Sequence, residues 1–225
     1  MKYISTRGNF QGVEAAEAIR TGMVPAGGLF VPEEIPVFSL QEIREMAGKK
    51  YQEIALQVLE KFLTDYSREE LNDSIQGAYE RRKFPPTEVV PVIGLTDNLY
   101  LMELWHGPTA AFKDMALQLM PRLLMRAIKK AELKKEIVIL VATSGDTGSA
   151  ALEGFKDLEG VKIIVFYPAE GVSEIQELQM TTVDGKNTYV VGVKGNFDDC
   201  QSAVKAIFAD QDLKDLMAAN AYQFS

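Results

Sequence analysis

The chain is short of the residues that build metal centres and covalent cross-links. Its 225 residues include one cysteine (Cys200), one histidine (His106) and one tryptophan (Trp105). A lone cysteine excludes an internal disulfide framework and fits a reducing compartment, where a thiol on a helix serves as small apolar filler. One histidine and one distant cysteine do not make a transition-metal site. No apolar run approaches the length of a membrane span, and the N-terminus lacks the basic-then-apolar layout of a secretory leader, so the expected location is the cytoplasm. Cations are scarce, 24 Lys and Arg against 32 Asp and Glu for a formal charge of −8, which argues against nonspecific nucleic-acid binding. Internal repeats, low-complexity tracts and long charge runs are lacking too. What the chain does have is core-forming material: 47% of its residues are hydrophobic, enough for one large or two modest cores.

The hydrophobic pattern changes character near Lys83-Phe-Pro-Pro-Thr87. Before that point it is mostly helical. Ile54, Ala55, Val58, Leu59 and Leu63 predict a helix over residues 51–65, and Ser67 with Glu70 reads as a capping box opening the next one. Beyond the prolines, strand-like runs at 137–142, 161–166 and 188–193 alternate with helical stretches at 146–156 and 173–180, the latter with a Ser173/Gln176 box. That alternation predicts a parallel α/β sheet with right-handed crossovers. Two domains are expected: a mainly helical one over residues 1–85 and an α/β one over residues 86–225.

Two segments carry chemistry. The first is ELWHGPTAAFKDMALQ, residues 103–118. An apolar run at 99–104 reads as a strand, broken by Gly107-Pro108, and from Phe112 the residues Met115, Ala116, Leu119, Met120, Leu123, Ala127 and Ile128 keep a helical period. This reading places Lys113 in the first turn of a long helix, at the positive end of its dipole, where an ammonium is disfavoured. A neutral lysine amine can form a Schiff base with a carbonyl. Asp114 acts in the opposite sense by holding a neighbouring lysine charged, so Phe-Lys-Asp taken alone reads as a surface lysine opening a helix.

The second segment begins with the β-branched run at 137–142, the pattern of a strand buried on both faces. TSGDTGS follows at 143–149, and then a helix through Ala150, Ala151, Leu152 and Phe155. Small hydroxyl residues and glycines between a parallel strand and a helix make an anion site from outward backbone N–H groups and the helix dipole. Gly145 and Gly148 permit close backbone approach; Thr143, Ser144 and Thr147 add hydroxyl donors. The loop is neither a nucleotide P-loop, since no Lys-Ser/Thr pair follows the glycines, nor a dinucleotide fingerprint. Helix capping by Ser144 or Asp146 is expected alongside. Asp146 is unusual in an anion site and must accept hydrogen bonds or meet a cation there.

A candidate Schiff-base lysine followed by a carboxylate-cradling loop is the layout of pyridoxal-phosphate enzymes of the tryptophan-synthase-β type. Within that group HGPTAAFKDMALQ (106–118) and ATSGDTGSAA (142–151) resemble the two signature segments of threonine synthase. YISTRG (3–8), PAGGLFVP (25–32) and GNFDDCQ (195–201) are similar to further blocks of that family, in its order. Serine dehydratases tend to carry Asn where this chain has Asp146. The resemblance implies a threonine-synthase-like N-terminal domain, mainly helical, followed by part of a three-layer α/β/α catalytic domain of fold type II. It also implies pyridoxal 5'-phosphate as cofactor and O-phospho-L-homoserine as substrate. The implied lyase reaction converts that substrate and water to L-threonine and phosphate, the last step of threonine biosynthesis.

Carried over residue by residue, the resemblance makes Lys113 the catalytic and cofactor-holding lysine. It assigns Ser144, Gly145, Asp146 and Thr147 to the cofactor, and Thr143, Ser144, Thr147 and His106 to the substrate. With a formal charge of −8, the anion site must be positive locally, through backbone amides and a few cations. Arg7 and Asp198 lie in matched blocks, with roles at the site or in a domain interface and a helix cap left open. A related phospholyase and a non-catalytic half-protein are the alternative readings. Members of the family are about twice this length, and their pattern runs on past Tyr222-Gln-Phe-Ser225 into a glycine-rich loop for the cofactor phosphate. The chain is therefore expected to be the N-terminal part of the enzyme, inactive by itself.

Overall fold

Strand β1 (Tyr3–Ser5) pairs antiparallel with β2 (Phe30–Pro32), and helix α1 (Ala15–Thr21) falls between them in the chain. Helices α2 (Leu40–Met46), α3 (Tyr51–Phe62) and α4 (Arg68–Ala78) follow. Ser67 accepts from the Glu70 N–H while the Glu70 carboxylate accepts from the Ser67 N–H, the box predicted for α4. Next come a hairpin of β3 (Val92–Thr96) and β4 (Leu99–Met102), a single turn α5 (Asp114–Leu117) and α6 (Met120–Lys130). The rest alternates: β5 (Glu136–Ala142), α7 (Asp146–Phe155), β6 (Val161–Pro168), α8 (Glu174–Thr181), β7 (Thr188–Val193), α9 (Phe197–Ala209), α10 (Gln211–Ala219) and β8 (Tyr222–Phe224).

This computed structural model describes residues 1–224, so Ser225 lies outside the described residues. The chain forms two units: Met1–His106 with Arg122–Glu132, and Gly107–Pro121 with Leu133 onward. In the first, Leu71, Ile75 and Ala78 of α4 are buried together with Phe84 and with Leu124 and Ala127 of α6. The Tyr66 hydroxyl donates to the Leu123 carbonyl at 3.1 Å, joining the loop before α4 to α6. Every residue of the β3–β4 hairpin is exposed on both of its faces.

The second unit is α/β. Its four strands are all parallel, in the order β7-β6-β5-β8. The chain steps one way from β5 through β6 to β7, then returns to the far side of β5 as β8. With right-handed crossovers, α7 and α8 lie on one face of the sheet and α9 and α10 on the other, giving three layers. Ile137, Ile163, Val165, Leu152, Phe155, Met180 and Cys200 are essentially inaccessible and form its core. Asn187, at the entry to β7, ties this core to three neighbouring stretches of main chain. Its Nδ2 donates to the carbonyls of Phe155 (2.9 Å), Val161 (2.9 Å) and Leu158 (3.3 Å), and its Oδ1 accepts the Asp157 N–H (2.7 Å).

Three expectations are corrected. The helical period from Phe112 to Ile128 does not run through: α5 stops at Leu117 and α6 starts at Met120. Pro121 is the reason. It has no N–H for the Leu117 carbonyl four residues back, and its ring disfavours helical backbone at Met120. The strand before the lysine ends at Met102 and belongs to the hairpin, with residues 103–113 between it and α5, so Lys113 is not at a strand-to-helix handover. In β5 only Ile137, Val138 and Ile139 are buried; the carboxyl-terminal half is partly exposed.

Candidate active site

Strand order reverses at β5, with β6 reached on one side and β8 on the other. Where the order of an open α/β sheet reverses, the two connections diverge at the carboxyl ends of the strands and leave the crevice in which ligands usually bind. Residues 143–149 leave β5 at that end.

The turn is organised by Thr143. This residue is 2% exposed, and its hydroxyl oxygen accepts the N–H groups of Gly145 and Gly148, each at 2.9 Å. Gly145 thereby takes φ +134°, where side chains are strained, and a Cβ there would lie 2.5 Å from Cδ of Gln176. A Cβ on Gly148 would lie 2.5 Å from the Thr143 methyl and 2.8 Å from Sδ of Met180. Both glycines are thus demanded by close approach. The N-cap of α7 is Gly145, with no side-chain cap bond, so the expected capping by Ser144 or Asp146 gives way to the Thr143 hydroxyl. Ser144 and Asp146 are exposed instead, and Thr147 is half-buried. No hydrogen bond joins the N–H groups of Ser144, Asp146 and Thr147 to another described residue, as expected for the first amides of a helix. Asp146 meets its need for a donor through Gln176, whose Nε2 donates to Oδ1 at 2.9 Å.

Lys113 immediately precedes α5 and is half-buried. α5 is a single turn and has less dipole to offer than the long helix expected. The neighbouring carboxylate proves more informative. Asp114 is fully buried and turned toward Thr109, whose N–H and hydroxyl donate to Oδ2 (2.8 Å) and Oδ1 (2.9 Å). Burial pushes the Asp114 carboxyl above its usual range, and these two bonds pull in the other direction. Asp114 therefore does not pair with Lys113. Nζ of Lys113 instead lies over the Phe112 ring, 4.9 Å from its centroid. α5 packs on α7, where the freed Leu117 carbonyl lies against Gly154.

Lys113, Thr143, Ser144, Gly145, Asp146 and Thr147 thus belong to one unit, whereas His106 belongs to the other. There its Nε2 lies 2.6 Å from Oε2 of Glu103 and its ring tilts against Trp105, which is 47% exposed rather than packed. The two N-terminal blocks meet: Thr6 exchanges hydrogen bonds with Leu29, and Arg7 lies beside Gly27. Asn196 caps α9 by accepting the N–H groups of Asp198 and Asp199, and the Asp199 carboxylate accepts the Asn196 N–H in return. Sequence reasoning missed Thr109, Gln176 and Gln179 as partners of the two segments. The signal available was the pair of glutamines three residues apart on α8, only one of which was read, and only as a cap.

Comparison with known proteins bears on the family and the fold. Residues 2–79 match the family described as threonine synthase N terminus, and residues 82–223 the family of pyridoxal-phosphate dependent enzymes. A threonine synthase of Pseudomonas aeruginosa is 42% identical over 215 residues, covering 94% of this chain and 44% of that one. Threonine synthase-like 2 of Rattus norvegicus is 39% identical over 230 residues, covering 100% of this chain and 47% of that protein. The crystal structure of a pyridoxal-phosphate-bound threonine synthase from Brucella melitensis superimposes with a TM-score of 0.86 at 35% identity, over 100% of this chain and 47% of that one. The chain thus spans about half the length of the relatives it matches, and its fold is that of the corresponding part of pyridoxal-phosphate enzymes of fold type II.

Proposed function

The chain belongs to the pyridoxal-phosphate-dependent enzyme family, and from that premise we propose that it forms the N-terminal part of a threonine synthase. The proposed reaction takes O-phospho-L-homoserine and water to L-threonine and phosphate in the cytoplasm. The observation that carries the reading is the withdrawal of Asp114 to Thr109, which leaves the Lys113 amine, in the same unit as the loop after β5, without a carboxylate partner among the described residues. Among the described residues no helix is long and apolar enough to cross a membrane.

The residues suit pyridoxal phosphate. Lys113 offers an amine to hold its aldehyde carbon, and Ser144, Asp146 and Thr147 of the same unit offer amides and hydroxyls at the start of α7. When bound, the cofactor supplies an electron-poor ring that delocalises negative charge developing on a substrate carbon. The chain's own groups have separate tasks. Nζ of Lys113 carries protons between Cα and Cβ of the substrate, the general acid–base role. The N–H groups of Asp146 and Thr147 and the hydroxyls of Ser144 and Thr147 receive the substrate carboxylate, holding the reacting bonds in alignment. Thr143 keeps the loop in shape from beneath, and Asp146 and Gly145 border the cofactor. His106 is read as a substrate-side residue within its matched block. The division after residue 85 separates the N-terminal domain from the catalytic one in this reading. The 225-residue chain alone is read as inactive, because it spans under half of a related synthase.

Lys113→Ala in the full-length protein should lower phosphate release from O-phospho-L-homoserine by roughly 10²–10⁴-fold or more, since proton transfer and cofactor attachment are lost together. Borohydride reduction followed by peptide mapping should label Lys113, and a label on another lysine would overturn the assignment. A second reading is a related phospholyase that releases phosphate from such a substrate without forming threonine. Product analysis of the same reaction separates the two.

A further inference from the structure

Helix α8 carries three residues on one face: Gln176, Gln179 and Met180, at the i, i+3, i+4 spacing that aligns side chains along a helix. Met180 is fully buried and anchors the helix beneath Gly148. The two glutamines reach in different directions. Nε2 of Gln176 donates to Oδ1 of Asp146 in the loop after β5, and its side chain fills the space that a Cβ on Gly145 would need. Its Oε1 at the same time accepts the Ser173 N–H (3.2 Å) and hydroxyl (3.1 Å), so its rotamer is fixed by the cap of its own helix. Nε2 of Gln179 donates to the Thr109 carbonyl at 3.2 Å. Thr109 is the residue that holds Asp114, whose neighbour is Lys113.

We propose that α8 is a bracket that sets the lysine segment and the anion loop in register with each other, with Gln176 and Gln179 as positioning residues. One rigid helix, pinned by Met180 and capped by Ser173, holds both segments through one amide each. The register matters because a reacting group misplaced by about 1 Å can cost on the order of 10²-fold in rate. The link from Gln179 to Lys113 passes through Thr109 and Asp114, and the link from Gln176 to the loop passes through Asp146. Neither glutamine needs to touch substrate. The inference rests, for its catalytic consequence, on the reading that Lys113 and the loop serve one site.

The test uses the full-length protein with Gln176→Leu, Gln179→Leu and the double substitution, read first without cofactor by hydrogen exchange. Gln179→Leu should speed exchange in residues 107–113 by about tenfold, the scale of one net hydrogen bond, and leave residues 161–168 unchanged. Gln176→Leu should do the same to residues 143–149. Gln179→Glu keeps the side-chain volume if the leucine variant fails to fold, and should give the same exchange pattern because an acceptor then faces the Thr109 carbonyl. In turnover, each single substitution should lower kcat about tenfold, and the double substitution should be no worse than the more damaging single one, as for two ends of one bracket. Unchanged exchange at 107–113 in both Gln179 variants, or kcat losses that multiply in the double variant, would overturn the proposal. Absence of threonine formation by the unsubstituted protein would instead refute the proposed function, while the exchange pattern would still decide the bracket.

Discussion

The carboxylate of Asp114 is buried, and a buried charge has to be satisfied or neutralised. Thr109 satisfies it twice over from within the same loop, which closes residues 109–114 into a turn. A Cβ on Gly107 would lie 2.5 Å from both Cβ and Oδ2 of Asp114, so this turn is packed as tightly as it is bonded. Asp114→Ala should destabilise the protein by about 1–3 kcal/mol, measured by denaturant unfolding, because two donors lose a buried acceptor. Asp114→Asn keeps one acceptor oxygen and should lose less. The pH dependence has a definite sign. Burial raises the folded-state pKa, so the wild-type side chain contributes most below its unfolded value of 3.8 and less as pH rises through the raised folded value. Asn does not ionise, so the deficit of Asp114→Asn relative to wild type should shrink between acidic and neutral pH. A deficit that grows with pH would mean that the Thr109 bonds outweigh burial.

Elements were legible in the sequence where burial shaped them. Strands β5 and β6, which hold buried residues, are short apolar runs between turn residues, and their bounds emerged within two residues of expectation; the edge strand β7, with no buried residue, matched in its bounds as well. The boxes at Ser67 and Ser173 are local hydrogen-bond patterns, which four residues of sequence suffice to specify. The split between α5 and α6 was missed because the apolar period continues across it while Pro121 removes a bond that periodicity does not register. β8 was missed because its three residues are a strand only through pairing with Glu136, Ile137 and Val138, far away in sequence. At the candidate site, glycines and hydroxyls announced the loop, but Gln176, which holds it, lies 30 residues downstream of Asp146. The β3–β4 hairpin carries no burial on either face, although Val92, Leu95, Leu99, Tyr100 and Met102 are each at least 55% exposed. A two-stranded hairpin without a packed face is marginal in water. Limited proteolysis of the 225-residue chain should therefore cut at Thr96-Asp97-Asn98 before any site in 136–168, as mass mapping of the first fragments would reveal. Initial cleavage within β5 or β6 would contradict this ranking.

At the scale of the whole molecule, the chain combines a formal charge of −8 with a proposed site for anionic groups. The local answer is backbone: the loop after β5 places amides at a helix start, where charge-assisted bonds are worth on the order of 1.5–3 kcal/mol each. The same arithmetic predicts the behaviour of the 225-residue chain alone, which spans 44% of the Pseudomonas aeruginosa relative. In the proposed reading, further donors for the cofactor phosphate come from outside the part of such a protein that this chain matches. Titration with pyridoxal phosphate, followed by absorbance, should show weak binding, and O-phospho-L-homoserine should release no phosphate. Tight stoichiometric binding or measurable turnover would mean that these residues hold a fuller site than proposed. Asn187 has a consequence for how the molecule ages. Asparagine is among the thermolabile residues because its side-chain amide can be lost to hydrolysis. In position 187 the three carbonyls around Nδ2 hold that amide in place, and Thr188 is already committed to β7. Such a side chain keeps its nitrogen as long as the fold is closed. Once it is lost, a carboxylate oxygen faces three carbonyl oxygens, so hydrolysis during a transient opening would be recorded as an irreversible failure to close again.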